Sequence, residues 1–295
     1  MFYRRKVILA MLQHFDGELE KIRLQKLLFL FTQRQKKSKA YDFVPYKYGC
    51  YSFSANADLT AMVRRDFLSE TETTFCKEDP TDYTPQLNTE DAAILEDTLA
   101  MYGGMSANAL MKHTYINFPY WSTNSTVARE ILNDAQYQKV KDCVNVDKEH
   151  VLFTIGYEGI SLEEYMNRLL KNGVSMLVDV RNNAQSMKYG FSKSTLKKVC
   201  EGVGITYTHL PEVGIVSDKR KELKTQADYD SLFAEYSEDN LTKTEETQSE
   251  IATLLSQNKR IALTCFEANI CQCHRKPLAE AITKLPNFKG NLTHL

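Results

Sequence analysis

The chain has 295 residues, 43% hydrophobic and 25% charged, which suits about two soluble globular domains with real cores. A formal net charge of −1 excludes a global electrostatic pull toward nucleic acid or membrane, and no run reaches the ~18 apolar residues of a membrane span. The seven cysteines are an odd number in a chain too large to need disulfides, and are expected as reduced thiols.

Charge is unevenly distributed in the first half. Residues 1–50 hold eleven Lys/Arg against four Asp/Glu, a local +7, whereas residues 66–97 hold ten Asp/Glu against one Lys, a local −9. The opening MFYRRKVILAMLQHF has the basic and apolar parts of a signal peptide but no small-residue cleavage site. It is read as the first helix of a cytoplasmic protein, with Ile8, Leu9, Leu12 and Phe15 on one face. Ile22, Leu24, Leu27, Leu28, Leu30 and Phe31 predict a second, broadly buried helix. Residues 41–51, YDFVPYKYGCY, carry Pro45 and Gly49 among aromatics and predict a small hairpin wing. A helix is expected from Ser54 to about Phe67, capped by Ser54 or Asn56, then a polar acidic loop or arm over 69–90. Further helices are expected over 90–101, 106–113 and 124–142.

From 151 the pattern changes to short apolar runs alternating with amphipathic helices. VLFTI, VSMLVDV, ITYTHL and RIALTCFE predict four strands. SLEEYMNRLLKNG, SKSTLKKVCEGVG, the region 228–258 and RKPLAEAITKL predict the helices between and after them. Ser161 is placed to cap the first of these, with Glu164 at capping-box spacing. Such alternation with short connections implies a mostly parallel sheet flanked by helices. The expected organisation is therefore a mainly helical binding module over 1–147 and an α/β domain over 148–295, with a seam at Val146–Glu149.

In a parallel α/β sheet, ligands bind beyond the carboxyl ends of the strands. That edge should carry Tyr157 and Glu158, Asp179 and Arg181, Glu212, and the segment Cys265, Glu267, Cys273, His274 and Arg275. The glycines around Tyr157-Glu158 allow close backbone approach, but no dinucleotide fingerprint or P-loop is present, so no cofactor is expected. Asp179 and Arg181 share one side of a strand, fitting either a salt bridge or a base beside an anion clamp. The Cys-rich segment admits three functional readings besides a structural one. Cys265, Cys271, Cys273 and His274 have metal-ligand chemistry without a standard zinc spacing. Cys273 beside a helix start and Arg275 has the setting of an activated thiol. His274, Arg275 and free helix N–H groups would hold a phosphate. The phosphate reading is preferred, with no metal bound and Cys273 not a covalent nucleophile.

GYEG, DVRNN, GFSKSTL, YTHLPEVG and CFEANICQCHR, in this order, resemble the bacterial family called domain of unknown function 488, over about residues 151–285. The resemblance places the family pattern on Tyr157, Asp179, Arg181, Ser186, Phe191, Lys193, Leu210, Pro211, Glu212, Cys265, Glu267, Cys273, His274 and Arg275. Ala184 stands where proline is usual, and the segment after Gly214 lacks the usual second glycine. Toward the front, KIRLQKLLFLF followed by FVPYKYGCYS resembles the Panacea domain, an antitoxin-associated module, over about residues 8–68, with Cys50 in place of a proline. It implies a helical module that binds protein or nucleic acid.

Together these readings lead to an expected enzyme, a glycosidase-type hydrolase acting on a nucleotide or nucleic acid in a bacterial defence or DNA-modification setting. Glu267, Asp179, Tyr157 and Glu158 are the expected catalytic group, with Tyr157 stacking on a base. Arg181, Ser186, Lys193, Glu212, His274 and Arg275 would hold substrate and phosphate. A basic face of Arg23, Lys26, Arg34, Lys36, Lys37, Lys39 and Lys47 would meet nucleic acid. A non-catalytic sensor of modified nucleic acid, or an antitoxin-like adaptor that binds a protein partner through the front module, uses the same parts. No membrane contact is expected.

Overall fold

The structure, a computed structural model, describes residues 1–145, 147–216 and 223–295. The chain divides into two compact units, Met1–Val144 and Asn145–Leu295. Of the expected seam, Val146–Glu149, the first residue lies outside the described residues, and so do residues 217–222 of the polar stretch after Gly214.

Two buried helices form the centre of the first unit. α1 (Tyr3–Gln13) and, after the short β1 (Glu18–Glu20), α2 (Lys21–Arg34) pack Ile8, Leu9, Leu12, Leu24, Leu27 and Phe31 into one core. The aromatic segment is an antiparallel hairpin of β2 (Val44–Tyr46) and β3 (Gly49–Tyr51). Its turn needs Gly49, whose φ is +85° and whose Cβ would lie 2.4 Å from Tyr115 Cε1. Neighbouring residues of α2 hold this wing in place. Lys26 Nζ donates to the carbonyls of Tyr48 (2.5 Å) and Cys50 (2.9 Å), and Gln25 Oε1 accepts the Ser52 N–H.

Local signals did not show β1, with Leu19 its one buried residue, and they failed at three further places in this unit. α3 (Phe53–Val63) starts one residue earlier than expected, and its cap is Ser52, whose hydroxyl accepts the Ala55 N–H at 3.1 Å. The supposed acidic arm contains β4 (Leu68–Glu70) and β5 (Thr74–Lys77), which pair antiparallel, β5 also with β1. Only Leu68 and Phe75 are buried there, so the period-two signal is short and the acidic composition hides it. After α4 (Thr89–Tyr102) and α5 (Ala107–Asn117), the helix expected over 124–142 is two helices, α6 (Ala128–Ile131) and α7 (Asp134–Asp142). Asn133 separates them by forming a capping box with Gln136.

The second unit alternates strand and helix: β6 (Val151–Gly156), α8 (Leu162–Lys171), β7 (Met176–Asp179), α9 (Lys193–Gly202), β8 (Thr206–His209), α10 (Gln226–Tyr236), α11 (Glu245–Asn258), β9 (Arg260–Cys265), α12 (Arg275–Thr283) and β10 (Asn291–His294). The strands form one parallel sheet in the order β10–β6–β9–β7–β8. β10 was not expected, because an edge strand of exposed Asn291, Thr293 and His294 has no apolar run. Val178, Ile261 and Leu263 face a core filled by Leu232, Ile251, Leu255, Leu278 and Ile282 of α10–α12. By strand alternation Thr264 faces the other way, and Tyr165 of α8 donates to its hydroxyl at 2.7 Å. Helices thus cover both faces.

Chain order places a crevice at one edge. β9 lies between β6 and β7, so the loops after these three strands meet where the connections diverge to opposite sides, the usual ligand position in such sheets.

Candidate functional site

Asp179 ends β7 and is fully buried. Arg181 Nε donates to its Oδ1 at 2.8 Å and Nη2 to its Oδ2 at 2.5 Å, a two-pronged ion pair. The Tyr207 hydroxyl adds a donor to Oδ2 at 2.6 Å. Arg181 Nη1 donates to the Tyr157 hydroxyl and the Phe191 carbonyl, each at 2.8 Å. Burial alone would lower the Arg181 pKa, but hydrogen bonds and charge from Asp179 outweigh it and raise it. Burial, followed by the charge of Asp179, raises the pKa of Tyr207. Asp179 therefore serves as the counter-ion that fixes Arg181, which corrects its assignment as a catalytic carboxylate.

Tyr157 is also corrected. Its ring lies flat on Phe191, centroids 4.2 Å apart, with the Arg181 guanidinium 5.2 Å from its centroid. The ring is 3% exposed, so no face remains for a stacked base. It forms a wall of the cleft instead. The exposed aromatic at this edge is Phe266, edge-on to Tyr157 at 5.3 Å.

The loop after β9 crosses the end of β6 at very short range. Tyr157 and Glu158 N–H groups both donate to the Phe266 carbonyl, and Glu158 returns its carboxylate to the Ala268 N–H at 3.0 Å. A Cβ on Gly156 would fall 1.9 Å from the Glu267 carbonyl oxygen, so this crossing needs glycine. Arg275 locks the same loop. Its Nη1 donates to the Glu267 carbonyl at 2.5 Å and its Nη2 to the Ala268 carbonyl at 3.2 Å, with the residue 1% exposed. Arg275 is thus a backbone anchor inside the fold, which corrects the expected anion clamp.

What remains is a cleft of about 360 Å³. On one side stands the segment after β7, with Asn182, Asn183, Gln185, Ser186 and Lys188; on the other stand Cys265, Phe266, Glu267 and His274. Among the described residues Glu267 is the only carboxylate lining it. Lys188 Nζ donates to the Tyr157 carbonyl at 2.5 Å, and burial lowers its pKa. Besides Asp179 and Arg275, three more expected residues stand apart from the lining. Lys193 Nζ meets His209 Nδ1 at 3.0 Å, Glu212 is exposed in the turn after β8, and Glu158 is held by the crossing loop. Asn182, Asn183, Gln185, Met187 and Phe266 were missed. Their one sequence signal was position, directly after a strand end, because amides and apolar groups give no charge pattern.

At the floor of the cleft the Cys265 thiol donates to Glu267 Oε2 at 3.1 Å and lies 3.5 Å from His274 Nδ1. His274 Nε2 contacts the Val180 carbonyl at 3.0 Å. Burial, then a hydrogen bond with Cys265, pushes the Cys273 thiol well above its ordinary pKa. An inaccessible neutral thiol is a poor nucleophile.

In the first unit Lys26 does not join a basic face. It is 2% exposed, burial lowers its pKa, and its donors are spent on the wing. Arg23 donates to the Gly103 carbonyl at 2.6 Å, and Arg34 pairs with Asp97 at 2.8 Å. Lys36, Lys37, Lys39 and Lys47 are exposed. No described helix is long and apolar enough to cross a membrane.

Residues 161–282, within the second unit, match the family model described as Domain of unknown function DUF488. No curated protein matches the chain.

Proposed function

We propose that the second unit hydrolyses an N-glycosidic bond in a nucleotide or in a modified base of nucleic acid, with Glu267 as the catalytic carboxylate. The observation that carries this reading is the position of Glu267 as the one carboxylate on the cleft among the described residues. The volume, about 360 Å³, falls in the range of small-molecule sites. Phe266 offers a face to a base, and Asn182, Asn183 and Gln185 offer paired donors and acceptors to a base edge. In the reaction a water oxygen bonds to the sugar C1′, the C1′–N bond breaks with its electron pair leaving on the base, and Glu267 takes the water proton, which then passes through solvent to the departed base and restores the carboxylate. Its negative charge also stabilises the cationic sugar in the transition state.

The test is incubation of the full chain with plain and base-modified DNA, RNA and nucleotides, read by mass spectrometry. Free base is the expected product. Glu267→Gln should lower turnover at least ~10²-fold while substrate binding survives. Release of phosphate, an adduct on Cys273, or full activity in Glu267→Gln would overturn the assignment.

The first unit supports a contributing role in binding nucleic acid, because Lys36, Lys37 and Lys39 are exposed close together on the segment after α2. If all three neutralise phosphates, the slope of log affinity against log salt should flatten by about 2.7 in the triple alanine variant. Salt-insensitive binding, or none at low salt, would favour the antitoxin-like adaptor that meets a protein partner.

A further inference from the structure

We propose that Cys265, Cys273 and His274 form a binding site for one zinc ion, or a cation of like softness, at the floor of the cleft. Cys265 closes β9, whereas Cys273 and His274 enter α12, and the fold brings their two sulfurs and one imidazole nitrogen within 4.8 Å of one another. The expectation of a metal-free cluster rested on spacing along the chain, and that spacing is irrelevant once a strand end and a helix start share one edge.

Geometry and charge support the assignment independently. With Zn–S near 2.3 Å and Zn–N near 2.05 Å, tetrahedral coordination places sulfur and nitrogen about 3.6 Å apart. Cys265 Sγ and His274 Nδ1 are 3.5 Å apart. The second ring nitrogen, Nε2, faces the Val180 carbonyl at 3.0 Å. Donating a proton there leaves a lone pair on Nδ1, pointed at the sulfurs, as in metal-ligating histidines whose outer nitrogen is held by a carbonyl. Tyr236 packs edge-on against the imidazole at 5.8 Å and limits its rotation. All three residues are at least 98% buried, which penalises an unbalanced charge and suits a neutral centre. Binding releases one proton from each thiol, and two thiolates with one neutral imidazole then balance the dication.

Three protein ligands leave a fourth position. Cys265 and His274 line the cleft and Cys273 does not, so the open side of the centre faces the cleft. Glu267 Oε2 stands beside it, 3.1 Å from Cys265 Sγ. Three ligands with one open position is the pattern of a catalytic rather than a structural zinc site. The proposal does not depend on the glycosidic reading, because metal content is measured without substrate.

The full chain, loaded with zinc and desalted, should retain about one equivalent by elemental analysis. Cobalt(II) in its place should give the intense visible bands of a tetrahedral ion and a thiolate-to-cobalt charge-transfer band. Because Cys265 and Cys273 are buried, their alkylation is followed as the chain opens in urea, where zinc should slow it, while the exposed Cys271 reacts at once as an internal control. Cys271→Ser should keep the metal; Cys265→Ser and Cys273→Ser should each hold at least ~10-fold less. The cobalt and alkylation measurements use the unmodified chain, so a variant that fails to fold does not decide the matter. Zinc below about a tenth of an equivalent in the unmodified chain, a cobalt spectrum without the thiolate band, or a Cys265–Cys273 disulfide in protein purified without air would each overturn the site.

Discussion

Asp179→Ala is expected to destabilise the second unit by about 3–5 kcal/mol, because it strands the buried charge of Arg181. The Arg181 side chain is 5% exposed and would keep only neutral acceptors, the Tyr157 hydroxyl and the Phe191 carbonyl. Tyr207 would lose its acceptor as well. Hydrogen exchange of the β6, β7 and β9 amides reports this unit directly, whereas the single tryptophan, Trp121, lies in the first unit. The double variant Asp179→Leu with Arg181→Met should lose less than Asp179→Ala alone, since no unpaired charge remains. Exchange protection within ~0.5 kcal/mol of the parent in Asp179→Ala would refute the counter-ion role.

Gly156→Ala should have the second large effect, and it joins stability to activity. Its methyl carbon would lie 1.9 Å from the Glu267 carbonyl oxygen and 3.1 Å from Arg275 Nη1. The clash is with backbone, so the loop carrying Phe266 and Glu267 has to move. Overpacking of this kind costs about 1–3 kcal/mol. A displacement near 1 Å of the Glu267 carboxylate would reduce base release by ~10²-fold. Exchange protection at the loop and product formation are measured on the same variant. If both stay at parental values, the tight crossing does not position Glu267.

These two substitutions bear on a division among the polar groups at the sheet edge. Asp179, Arg181, Tyr157 and Arg275 are the most chemically suggestive residues in the sequence, yet their hydrogen bonds are directed mostly at one another and at backbone carbonyls. They shape the cleft, and Glu267 with the amides after β7 faces into it. Buried charges are kept only when paired, so the strongest ionisable signals in a strand-end motif include its scaffold as well as its chemistry.

Much of the architecture was legible in the chain itself. Apolar periodicity marked α1, α2, α8 and the four strands β6–β9, Ser161 marked the start of α8, where its hydroxyl accepts the Glu164 N–H at 3.0 Å, and Pro45 with Gly49 marked the wing. Alternating strand and helix required parallel pairing and so identified the sheet edge where the ionisable groups collect. Local pattern could not show β10, β4 or β5, because exposed or acidic strands bury too little apolar surface to leave a period. Nor could it show direction. Whether Lys26 faces solvent or the wing, and whether Arg275 faces a ligand or the Glu267 carbonyl, depends on partners far along the chain or beyond a turn. The same holds for Cys265 and the Cys273–His274 pair. Residue type sets what a side chain can bond to, but only the folded chain brings the partner within bonding distance, and a buried donor takes the partner it finds there.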